Sequence, residues 1–92
     1  MEIGEFRRQI DELDDQILEL LNRRASLALR IGEAKRKSGQ PIRVPDRESQ
    51  VLERLSSRQT GPLSAEAVVR IFSRIIEESR GLEEGIEGGG GR

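Results

Sequence analysis

The chain has 92 residues, of which 34% are hydrophobic, 36% are charged and 2% are aromatic. This composition favours one small domain of packed helices, because β-sandwiches need more aromatic and β-branched residues. The formal net charge of −1 favours neither nucleic acid nor a membrane surface as a partner. The chain has no Cys and no His, which excludes disulfides, thiolate chemistry and most zinc sites, so we expect neither a metal nor a cofactor.

The first residues lack the basic-then-apolar pattern of a signal peptide, and no apolar run approaches the length of a membrane span. We therefore expect a soluble, cytoplasmic protein. Any chemistry that it performs must use Arg, Lys, carboxylates, hydroxyls or the backbone.

Apolar residues at spacings of three and four predict a long first helix, from about residue 3 to residue 37. The stripe is formed by Ile3, Phe6, Ile10, Leu13, Ile17, Leu20, then Arg24, then Leu27, Ile31 and Ala34. Beside it lies a second row with small residues, Ala25, Ala28 and Gly32, which would let another helix approach closely. Gly39 and Pro41 end the helix, which would be about 50 Å long at 1.5 Å per residue.

Two shorter helices are predicted downstream. Pro45 suits the first position of the second helix, and Ser64 is a candidate N-cap for the third after a loop over 56–62. The inward faces are formed by Val51, Leu52 and Leu55, and by Val68, Phe72, Ile75, Ile76, Leu82 and Ile86. We expect residues 1–87 to form one domain and the glycine-rich residues 88–92 to form a flexible tail.

A helix of this length cannot be covered within one chain by two helices of roughly four and six turns. A second copy, antiparallel and related by a two-fold axis, would cover the remaining apolar stripe. We therefore expect an obligate homodimer of all-α chains with six helices in total.

Arg24 interrupts the apolar stripe of the first helix at a core position. It could set the packing register or extend its guanidinium to the surface; alternatively, it could be a buried cation held for an anionic ligand. Lys35 lies eleven residues later and projects within roughly 20° of Arg24, about 16 Å further along the axis. Two cations on one face of the helix favour a small dianion as the ligand.

Five further polar residues are candidates with ordinary alternatives. Arg7 lies about 25 Å before Arg24 on the same helix. It could reach the Arg24 of a partner chain in an antiparallel dimer; otherwise it is a solvated arginine. Arg47 could bind a carboxylate and Glu48 could accept from a hydroxyl, or the two could form a first-turn charge pair. Ser79 occupies an inward position of the third helix, four residues before Glu83, which could equally be a solvated residue near a fraying end.

Four segments together closely resemble the all-helical (AroQ-type) chorismate mutases: RRQIDELDDQILELLNRR, IGEAK, PIRVPDRE and FSRIIEES. Their order and spacing cover roughly residues 5–83. The resemblance implies an intertwined homodimer that converts chorismate to prephenate by a Claisen rearrangement in the shikimate pathway of aromatic amino acid biosynthesis. That reaction needs no base, nucleophile or metal, which fits a chain without His or Cys.

The resemblance also implies which residues bind the two carboxylates of the substrate. Arg24 and the partner's Arg7 match the arginines that hold them. Arg47 matches a further arginine that supports the site, and Ser79 matches a hydroxyl near one carboxylate.

The remaining implied roles concern the ether oxygen and the ring. Lys35 and Glu83 match the two donors to the ether oxygen, and Glu48 matches a glutamate on the ring hydroxyl. Val44 differs from the acidic or polar residue of many relatives, but the role there usually belongs to the backbone N–H. Several relatives have Gln at the position of Glu83, and a glutamate can donate only when it is protonated.

Other functions fit the same pattern of residues. Isochorismate pyruvate-lyases share this fold and the same type of carboxylate clamp. The chain could also be a non-catalytic dimerisation or regulatory module of a fused shikimate-pathway enzyme. Binding of RNA or another anion through the basic stretch 30–47 is least favoured, because the chain has no Tyr or Trp on which bases could stack.

Overall fold

A computed structural model describes residues 2–58 and 60–85. Over these residues the chain forms three helices and no strand: α1 (Ile3–Ser38), α2 (Pro45–Ser57) and α3 (Ala65–Glu83). The all-α fold and the long first helix predicted from the sequence are confirmed. None of the three helices combines the length and the apolar character that a membrane crossing needs.

The ends of the helices follow from local sequence signals. Gly39 adopts φ 77° in the left-handed region, and its N–H donates to the Lys35 carbonyl at 2.8 Å, which terminates α1. Pro45 lies in the first turn of α2, where its missing N–H would have no helical partner. The Ser64 hydroxyl accepts from the N–H of Ala67 at 3.0 Å and caps α3 as predicted.

α3 packs against both α1 and α2 and is the element that joins them. Val51 of α2 and Val68 of α3, both predicted to face inward, are buried. α2 continues to Ser57, two residues into the predicted loop. The predicted inward position of Ile86 and the predicted flexible tail 88–92 lie outside the described residues.

Gly32 allows the end of α3 to approach α1 closely, as the row of small residues predicts. A Cβ atom at Gly32 would lie 2.7 Å from the carbonyl oxygen of Glu83 and 2.8 Å from its Cα. One turn later, the Arg36 guanidinium donates to the same carbonyl at 2.8 Å. Gly32 and Arg36 therefore hold the Glu83 backbone against the turn of α1 that carries Lys35.

The N-terminal half of α1 is not covered by the rest of the described chain. Its apolar residues are each at least half exposed: Ile3, Phe6, Ile10, Leu13, Ile17, Leu18 and Leu20. The molecule is 16 Å thick in its thinnest direction, little more than the diameter of a single helix, about 10–12 Å. An apolar surface of this extent is typical of an interaction site.

Candidate active site

A pocket of about 300 Å³ opens between the C-terminal half of α1, the start of α2 and the end of α3. The loop between α1 and α2 contributes to its wall through Ile42 and Val44. The remaining apolar residues of the wall are Leu27, Ala28, Ile31, Val51 and Ile76. Polar groups in this pocket are therefore held against a largely aliphatic background, where electrostatic interactions are stronger than in water.

Seven of the eight predicted site residues line this pocket: Arg24, Lys35, Val44, Arg47, Glu48, Ser79 and Glu83. Helical spacing places Arg24 and Lys35 on one face of α1, and Ser79 and Glu83 on one face of α3. The eighth residue, Arg7, is exposed and lies about 25 Å from Arg24 along α1 at 1.5 Å per residue. The roles of these residues in binding or catalysis remain predictions.

The pocket is electropositive, although the chain as a whole carries a formal charge of −1. Its charged residues are four cations and two carboxylates: Arg24, Lys35, Arg47 and Arg80, and Glu48 and Glu83. Four positive and two negative side chains leave an excess of two positive charges. Such an excess favours a small ligand that carries two negative charges, because partly desolvated cations need anionic partners.

Lys35 and Glu83 form an ion pair in the pocket. The Lys35 ammonium donates to the Ile42 carbonyl at 2.8 Å and to Oε1 of Glu83 at 3.3 Å. The side chains of Lys35 and Glu83 are 17% and 16% exposed, so both are largely shielded from water. An ammonium has three donors, and two are used within the described chain, which leaves one N–H for a ligand.

Arg24 is partnered by a hydroxyl rather than by an acid. Its Nη1 donates to Oγ of Ser79, and that hydroxyl in turn donates to the Ile75 carbonyl at 2.9 Å. In the part of the chain that the structure describes, no carboxylate oxygen lies within 4.0 Å of the Arg24 guanidinium. The guanidinium is therefore oriented by Ser79 while its charge is available to an anionic ligand.

Glu48 pairs with two arginines that the sequence reasoning did not single out. Nη1 of Arg80 donates to Oε2 of Glu48 at 2.8 Å, and Nε of Arg43 lies 4.0 Å from Oε1. The alternative that Glu48 pairs with Arg47 in the first turn of α2 is therefore wrong for this structure. Arg80 directly follows Ser79 on a helix already expected to carry site residues. This adjacency is the one feature of the sequence that could have indicated Arg80 as a site residue.

Comparison with known families gives one decisive match. The family model for chorismate mutase type II matches residues 6–84, which include nearly all of α1 and the whole of α2 and α3. The chain belongs to the chorismate mutase type II family. The resemblance inferred from the four sequence segments is thereby confirmed.

Individual members of this family are similar to the chain. A bifunctional chorismate mutase/prephenate dehydratase of Aquifex aeolicus is 42% identical over 90 residues, which is 94% of this chain and 25% of that protein. A chorismate mutase of Thermus thermophilus has a TM-score of 0.88 at 33% identity, covering 89% of this chain and 93% of that one. A chorismate mutase of Helicobacter pylori in complex with prephenate has a TM-score of 0.82 at 32% identity, covering 91% of each chain.

Proposed function

We propose that this chain catalyses the rearrangement of chorismate to prephenate. The observation that carries the proposal is the pocket, whose excess of two positive charges matches the two carboxylates of chorismate. Membership of the chorismate mutase type II family supports it. So does the similar Helicobacter pylori chorismate mutase, which has been solved in complex with prephenate, the product of this reaction.

The carboxylate clamp is the first part of the proposed mechanism. The flexible enolpyruvyl ether of chorismate must be held in a compact chair before its two ends can react. Arg24, oriented by the Ser79 hydroxyl, binds one carboxylate, and Arg47 supports the site from the first turn of α2. Fixing the substrate in this way lowers the entropic barrier without a base or a nucleophile.

Stabilisation of the ether oxygen is the second part. In the rearrangement the C–O bond breaks ahead of C–C bond formation, no atom enters or leaves, and negative charge develops on the ether oxygen. The Lys35 ammonium, fixed by the Ile42 carbonyl, donates its remaining N–H to that oxygen. Because the charge is larger in the transition state than in the substrate, this donor raises kcat. The ionised Glu83 accepts from Lys35 and donates to nothing; only in its protonated form could it supply a second donor to the ether oxygen.

We also propose that the active form is an antiparallel homodimer in which the partner's Arg7 completes the site. The exposed apolar residues of α1 run from Ile3 to Ile31, so the midpoint of this surface lies at residue 17. A two-fold axis that brings Arg7 opposite Arg24 would cross α1 between residues 15 and 16. The two positions differ by about 2 Å along the helix, so pairing that covers the apolar surface also brings these arginines together.

The direct test is to add the purified chain to chorismate and to follow the loss of chorismate absorbance. We expect complete conversion to prephenate, identified chromatographically, with no added cofactor or metal. A parallel reaction with isochorismate measures the competing lyase activity through released pyruvate. Pyruvate release from isochorismate without prephenate formation from chorismate would contradict the proposal and identify a lyase.

Glu83→Gln tests whether the side chain at this position donates to the ether oxygen. An amide always carries N–H donors, whereas a carboxylate can only accept. We therefore expect the kcat of Glu83→Gln to equal or exceed that of the wild type. The measurement is kcat at one fixed pH for both proteins, with Glu84→Gln as the control at the neighbouring exposed acid. A kcat of Glu83→Gln well below the wild-type value would show that the site does not use a donor at this position.

A further inference from the structure

Arg80 joins the end of α3 to the first turn of α2 inside the pocket. Its Nη1 donates to Oε2 of Glu48 at 2.8 Å, and the two side chains are 24% and 23% exposed. Both residues line the pocket that also contains Lys35 and Glu83. Arg80 is thus a pocket residue whose charge is already paired, unlike that of Arg24.

The two carboxylate oxygens of Glu48 have different environments. Oε2 is fixed by Arg80, whereas Oε1 has a 4.0 Å contact with Arg43, whose side chain is 63% exposed. An exposed pair at this distance contributes little and is easily displaced. Oε1 is therefore the oxygen that can accept a hydrogen bond from a ligand, provided that the carboxylate keeps its orientation.

That orientation is not fixed by the glutamate itself. The terminal torsion of a glutamate side chain has broad minima, so a carboxylate without a partner rotates readily. Without Arg80, the Glu48 carboxylate could rotate about this torsion, and the direction in which Oε1 points would no longer be fixed. The strong charge-assisted bond from Arg80 prevents this.

We propose that Arg80 is a positioning residue, which orients Glu48 so that its Oε1 accepts from the ring hydroxyl of the substrate. This inference rests on the proposed function and extends it to a residue outside the expected site. Arg80 acts through Glu48 and does not bind a substrate carboxylate, because its own charge is neutralised. Binding of the two substrate carboxylates is then left to Arg24 and the partner's Arg7, with Arg47 as the arginine that supports the site.

The role predicts a specific kinetic pattern. The ring hydroxyl is not where charge develops, so its bond to Glu48 is equally strong in the bound substrate and in the transition state. Loss of such uniform binding raises KM and leaves kcat nearly unchanged. We expect Arg80→Met, which keeps the length of the apolar stem, to raise KM by about tenfold, and Arg80→Lys to restore part of that loss.

The experiment is a double-mutant cycle of Arg80→Met with Glu48→Ala, with folding checked by circular dichroism and thermal melting. If Arg80 acts through Glu48, Arg80→Met should change kcat/KM by less than about twofold in the Glu48→Ala background. Arg74→Met is the matched control, since Arg74 is an exposed arginine on the same helix and pairs with the exposed Glu77 and the half-exposed Glu78. We expect this control to leave KM unchanged.

Three outcomes would overturn the inference while the proposed function stands: wild-type KM in Arg80→Met, a fall in kcat alone, or equal effects of Arg80→Met in both Glu48 backgrounds. The first outcome would show that only the apolar stem of Arg80 matters, because methionine keeps the stem and lacks the guanidinium. The second would show that Arg80 acts on the ether oxygen in the transition state rather than on the bound ring hydroxyl. The third would mean that it acts without Glu48. Absence of chorismate turnover in the wild-type chain would instead overturn the proposed function, and this inference with it.

Discussion

Lys35→Ala is expected to lower kcat by about 10²–10³-fold, with a much smaller change in KM. The Lys35 side chain is largely shielded from water, and its ammonium is fixed by the Ile42 carbonyl. It stabilises charge that appears on the ether oxygen only as the C–O bond breaks, so its loss affects the transition state more than the bound substrate. The measurement is steady-state conversion of chorismate by the variant and the wild type.

Loss of Lys35 should not unfold the protein. The variant loses the hydrogen bond to Ile42 and the ion pair with Glu83, which together contribute about 1–3 kcal/mol to the free energy of unfolding. Circular dichroism and size-exclusion chromatography should therefore show a folded protein with the wild-type oligomeric state. Lys37→Ala is the matched control, because Lys37 is an exposed lysine in the same last turn of α1. Wild-type kcat in Lys35→Ala would eliminate the proposed mechanism.

The helices could be predicted from the sequence because their signals are local. A left-handed glycine at 39, a proline at 45 and a serine cap at 64 each act within a few residues of the helix end that they define. The partner that packs against Gly32, by contrast, could not be predicted from local signals. The small size of this glycine predicts a close approach, but that the Glu83 backbone fills the space depends on the path of two loops and on α2 between them.

In the candidate site, too, some features could be predicted from the sequence and others depend on tertiary structure. Arg24 and Lys35 could be placed on one face from helical spacing alone. The polar residues of α2 and α3 could be singled out as candidates with ordinary alternatives, and the family resemblance supplied their roles. The pairing of Arg80 with Glu48 could not be predicted, since it joins residues 32 positions apart on helices whose arrangement is tertiary. The Ile42 carbonyl that holds Lys35 leaves no trace in the sequence, because every residue has a carbonyl group.

The exposed surface of α1 leads to the other prediction with a large effect. Arg7→Ala and Arg24→Ala should each lower kcat/KM by about 10²-fold or more, because each removes a charge that holds a substrate carboxylate. If the two residues belong to one site but to different chains, the variants should complement each other. A dimer with one chain of each kind has one intact site, formed by the unaltered Arg24 of one chain and the partner's Arg7.

The measurement is activity after the two variants are mixed in denaturant at equal concentration and refolded together. Random pairing makes half of the dimers mixed, and each mixed dimer has one intact site of two, so about a quarter of the activity of refolded wild type should return. Each variant refolded alone should stay near its own low value. If Arg7 served the site of its own chain, every site would lack one arginine and no activity would return.

A second mixture distinguishes the two arrangements by a different ratio. When wild type is refolded with an equal amount of the double variant Arg7→Ala, Arg24→Ala, mixed dimers contain no intact site if the residues act across the interface. Only wild-type dimers are then active, and about a quarter of the sites work; if the residues act within one chain, about half work. A quarter in both mixtures is expected only when the pocket of one protomer is completed by its partner. That result would explain why the apolar face of α1 and its distant arginine lie on the same helix.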